Sequence, residues 1–167
     1  PAAGKVAYKA LAVTSSGAAW LNNGEPVVAR FKNDVPAWVL LPHILLMFAG
    51  LLLAFRAGLG ALADDPLWRK LLPWTLAVTA LGGLLLGPIV QKYAFGAFWT
   101  GFPLGADLTD TKTLFAVLAW LGAFLLRKKS RWWTVLALLL MIGVYLIPHS
   151  VLGSQLDYRT GKIITAK

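Results

Sequence analysis

No charged side chain lies between Asp34 and Arg56, and none lies between Lys70 and Lys92. Two uninterrupted apolar windows of that length constrain the fold more than any motif does. As α-helices rising ~1.5 Å per residue, each can cross the ~30 Å hydrocarbon core of a bilayer. A soluble domain carries about 25% charged residues. Here the figure is 14%, against 58% hydrophobic residues. The chain is expected to be an all-α membrane protein, a bundle of four transmembrane helices with a small N-terminal extracytoplasmic β hairpin.

The expected spans cover about residues 35–57, 70–92, 109–128 and 131–152. The third is the shortest between charges, only residues 113–126. It reaches full length if Lys112 extends its ammonium to the headgroups. Pro42 falls early in the first span, where a missing N–H is tolerated, and Pro88 is expected to kink the second. Gly83 and Gly87 form a GxxxG pair, read first as close helix packing.

Residues 1–34 read as a separate β element. Residues 6–13 and 26–32 are β-branched and aromatic with partial alternation, and Asn23-Gly24 is the strongest turn signal between them. Two strands alone are marginal in water, so this hairpin is expected to lean on the membrane domain or a partner. Residues 153–167 form a polar tail with a short strand expected at 162–165. The chain opens on Pro1 without a signal pattern, so it is expected to be a processed chain or part of a longer one.

The net charge is +9, but the basic residues cluster at the ends of apolar runs. That pattern sets topology and is not a nucleic-acid footprint. Arg56, Arg69 and Lys70, then Arg127, Lys128, Lys129 and Arg131, mark two short cytoplasmic connections. Both termini and the connection at 91–112 then lie outside, in a bacterial inner membrane or its equivalent. The absence of cysteine excludes disulfides and thiolate metal sites.

The two histidines share a context, LLPHILL around His43 and LIPHSVL around His149. Neutral imidazole ligates haem iron, copper or zinc, and it hydrogen-bonds a quinone headgroup. Each histidine alone reads first as an amphipathic side chain at a helix terminus. The pair, at one expected depth, weighs evenly between that and a shared haem b, quinone or metal site. Trp99 and Tyr145 are candidate aromatic walls for such a cofactor, although aromatic-belt anchoring is the commoner role. A second constellation gathers Gln91, Lys92, Asp107, Asp110, Lys112 and Asp157 at the outer face. Its first reading is a salt-bridge network pinning the central connection over the bundle; the second is a proton path or docking surface. Thr109 or Asp110 is expected to cap the third span.

No hydrolytic or nucleotide-binding motif is present, so the chain is not expected to be an enzyme by itself. The expected function is a small integral subunit of a larger membrane complex, redox-linked through His43 and His149. The alternatives are a proton-coupled transporter or channel component, or a purely structural accessory subunit with no cofactor. Mid-span charge, which transport would favour, is lacking.

Overall fold

Helix α1 (Ala37–Leu62) holds 26 residues. It continues past Pro42 and past Arg56; its last turns hold Gly58 and Gly60, poor helix formers that are kept there by close packing on Leu138 and Trp68. Helix α2 (Leu67–Ala80), a π-helical turn (Leu81–Leu86) and helix α3 (Gly87–Phe95) form one rod of 29 residues. Helix α4 (Leu108–Leu126) has 19 residues, and α5 (Trp132–Leu146) has 15. The computed structural model describes residues 4–148, 154–157, 160 and 162–165.

The protein is thus mostly helical, with three helical rods among the described residues long and apolar enough to cross a membrane. The fourth helix is shorter than its expected span. Fifteen residues at ~1.5 Å reach about 22 Å. It stops because Pro148 disfavours helical backbone at the preceding residue, and Ile147 is extended (ψ 116°). The third span, expected to be the weakest, is the sounder of the two. Asp107, not Thr109 or Asp110, caps it: the Asp107 carboxylate accepts from the Thr109 N–H at 2.8 Å.

Size sorts the side chains in the bundle. Ala54, Ala57, Gly58, Ala61, Ala116, Ala123 and Ala137 face inward, with Trp68, Leu72, Trp120 and Met141 filling the remaining space. Leu45, Phe48, Leu52, Leu85, Leu125 and Leu139 face outward. Small residues inside and large aliphatics outside is the arrangement expected where lipid is the solvent and close backbone approach drives association. A Cβ on Gly83 would sit 2.5 Å from Thr113 Cγ2 on α4. The close approach predicted for the Gly83 and Gly87 pair is made by Gly83 against α4 and by its neighbour Gly82 against Leu46 and Met47 on α1.

The N-terminal segment is a hairpin, but its tip is not at Asn23-Gly24. Strand β1 (Lys5–Tyr8) pairs antiparallel with β4 (Val27–Arg30), and β2 (Leu11–Thr14) with β3 (Gly17–Trp20). The chain reverses at Ser15-Ser16, where Gly17 adopts φ +138°. Asn22, Asn23 and Gly24 are all left-handed, as their residue types permit. They form a swelling opposite Lys9, between two ladders whose registers differ. The root is tied down by Asn33, whose N–H donates to Ala94 O at the end of α3 (3.0 Å).

The ribbon and the 96–107 connection sit at one end of the bundle. The short connections at 63–66 and 127–131 sit at the other, joined by the Arg131–Asp64 ion pair at 3.0 Å. In the tail, β5 (Ser154–Asp157) pairs with β6 (Lys162–Thr165).

Candidate functional site

His43 occupies the second turn of α1, directly after Pro42. Its Nδ1 lies 2.9 Å from Gly82 O, in the π-helical turn. Gly82 O also accepts the Gly87 N–H, five residues on. The sequence explains why the helix widens there. Pro88 has no N–H to offer the carbonyl four residues earlier, and Gly82-Gly83 favours the regular helix only weakly. A carbonyl can only accept, so the proton of a neutral His43 ring sits on Nδ1. Nε2 then carries the lone pair. An imidazole oriented by a backbone carbonyl in this way is prepared to accept a hydrogen bond or to ligate through Nε2.

His43 lines a cavity of about 540 Å³ between the start of α1, the end of α3 and the start of α4. The ribbon root supplies one side through Lys32, Asn33 and Asp34. Gln91, Asp107 and Asp110 supply a polar floor, and Val35, Leu40 and Val90 an apolar flank.

The floor is built from backbone donors as well as side chains. Asp110 Oδ2 accepts from the Thr100 N–H (2.7 Å) and the Gly101 N–H (3.0 Å). The Thr100 hydroxyl lies 3.2 Å from Asp107 and 3.3 Å from Asp110. Gln91 Nε2 donates to that same hydroxyl at 2.6 Å. One buried carboxylate therefore clamps the 96–107 connection onto α3 and α4. Gly101 is required for it: a Cβ there would meet Asp110 Cβ and, at 2.8 Å, the Thr111 backbone N.

Lys112 does not reach outward to the headgroups. It is 5% exposed, and its ammonium donates to Ile147 O at 2.6 Å. That carbonyl follows the last turn of α5, where helix ends leave acceptors free and a cation is favoured. Lys92 donates to Gly96 O at 2.8 Å and lies over the Phe98 ring. Both lysines thus meet backbone carbonyls.

Of the predicted site residues, the structure brings His43, Gln91, Asp107 and Asp110 to one cavity. Trp99 is not in its lining; its Nε1 donates to Phe102 O within the connection (3.1 Å). Tyr145 is not there either. Its hydroxyl donates to Met47 O at 2.6 Å and braces α5 against α1. Asp157 lies on β5 in register with Lys162, and His149 lies outside the described residues. Among the described residues, no group of three or more His, Cys, Asp or Glu is arranged to hold a metal ion. Thr100, Asn33 and the Gly82 carbonyl were not among the predicted site residues. The Gly-Gly run closely followed by Pro88 was the readable signal for the carbonyl.

Compared with known protein families, curated proteins and solved structures, the chain matches none of them.

Proposed function

We propose that this chain is a small integral subunit of a larger membrane assembly and that its pocket receives a quinone-type headgroup, with His43 as the acceptor for a quinol hydroxyl. The observation that carries the reading is the fixed His43 ring, held at Nδ1 by Gly82 O beside a cavity large enough for such a ring system. Lys32 and Asn33 in the same wall provide N–H donors suited to the carbonyl of the oxidised form. In this reading the chain crosses the bilayer four times, α5 being the shortest of the four crossings. The two basic connections are cytoplasmic, and the pocket, the ribbon and both termini lie outside.

The ribbon supports membership of an assembly. Val6, Tyr8, Leu11, Val13, Trp20, Val28 and Phe31 are all exposed on a two-stranded element. An apolar surface of that kind marks a place where another surface docks. Extraction in mild detergent is expected to yield a multi-subunit species; a stable monomer with the ribbon intact counts against this half of the proposal.

The ligand half is tested by titrating the purified protein with a short-chain quinol and following tryptophan quenching. His43→Ala is expected to weaken binding about tenfold, the worth of one hydrogen bond. Unchanged affinity in that variant removes the assignment. A Soret band in the visible spectrum, lost in the same variant, would transfer the ring to a b-type haem, which the same Nδ1–carbonyl geometry also suits.

A further inference from the structure

We infer that the basic end of the bundle is a binding surface for anionic phospholipid. The two short connections there are held side by side by the Arg131–Asp64 ion pair. Their two acids are both engaged, Asp64 with Arg131 and Asp65 with Arg56. Arg69, Lys70, Arg127, Lys128 and Lys129 stand at the same end, and among the described residues none of them has a carboxylate within ion-pair distance. Lys70, Lys128 and Lys129 are exposed.

The arginines are arranged against rings. Arg69 lies 4.9 Å over Trp68, and Arg127 lies 4.0 Å over Phe124 while donating to Phe124 O. Arg131 lies 5.9 Å over Trp132. Stacking holds these guanidinium groups at the helix ends and leaves the lysine ammonium groups outermost. Immediately beneath comes an exposed apolar flank: Trp74 is 65% exposed, Trp132 61% and Leu125 65%. A soluble polyanion would match the cations and leave that flank unused. A phosphodiester carried on acyl chains matches both layers: phosphate against the lysines, glycerol level with the indoles, chains along the leucines.

The test uses the whole protein in nanodiscs of phosphatidylcholine, with or without phosphatidylglycerol. Phosphatidylglycerol is expected to raise the thermal midpoint and to remain bound on transfer to neutral detergent, as seen by native mass spectrometry. Each of Lys70→Gln, Lys128→Gln and Lys129→Gln is expected to lower the binding constant about fivefold. Added salt is expected to weaken the preference. Equal midpoints in the two bilayers overturn the proposal. So does a triple variant that keeps its phosphatidylcholine midpoint and also keeps the wild-type preference. Stabilisation by inositol hexakisphosphate equal to that by phosphatidylglycerol would likewise overturn it, since the flank would then add nothing.

Discussion

The two ends of the bundle use the same residue types to opposite effect. At the pocket end, Asp107, Asp110 and Lys112 are buried, and backbone groups or hydroxyls satisfy them. At the basic end, Asp64 and Asp65 are paired with arginines in the open, with side chains 80% and 37% exposed. Water and salt screen the second kind of contact and hardly touch the first. The buried groups at the pocket end should therefore hold the fold together through their hydrogen bonds, whereas charge at the basic end should mostly choose surroundings.

The strongest way to break that comparison is Asp110→Ala. It strands the Thr100 and Gly101 N–H groups in a buried site, at ~1–3 kcal/mol each. A loss of roughly 2–6 kcal/mol in unfolding free energy in detergent is expected. A loss no larger than that of a surface substitution would show that the carboxylate is not the clamp described. Next in size is Tyr145→Phe, which removes the strut to Met47 O. Because that carbonyl lies within α1, only about 1 kcal/mol should be lost, read by the same denaturation curves.

The smallest effect is expected for Asp65→Asn. The Arg56 guanidinium beside Asp65, helped by the Leu67 N–H, holds its carboxyl below the usual carboxylate range. A depressed carboxyl contributes stability above its unfolded value of ~3.9 and loses that contribution as pH falls through the folded value. Any gap between Asp65→Asn and the natural chain should therefore be seen at neutral pH and low salt. It should close once pH falls below that depressed folded value, or in ~1 M salt. A gap that persists in acid would mean that Asp65 acts through something other than its charge.

Much of the helical frame was legible because charge and apolar length are local properties. Asp34, Arg56, Lys70 and Lys92 bracket two windows that need no neighbour to be interpreted. The hairpin was harder. Asn23-Gly24 carries the stronger turn chemistry, yet the reversal falls at Ser15-Ser16. Cross-strand register decides between the two, and register is a property of pairs. The end of α5 was written in Pro148, but an apolar run through 152 outweighed it in a reading by hydropathy. Of the site, His43 could be singled out by its setting after Pro42. Its partner could not, because a backbone carbonyl freed by an irregular turn leaves only the indirect trace of two glycines and a proline. Asp110 showed its charge but not its role, since its partners are the backbone of a connection with no pattern of its own.

Gly83 has one more consequence. The spacing between the α2–α3 rod and α4 is set where a hydrogen atom faces Thr113 Cγ2. A methyl group at that spot would act as a wedge driven between two beams. The cavity with Gly87 and Thr109 in its lining opens one turn further along the same two helices, so the contact at Gly83 bears on its width.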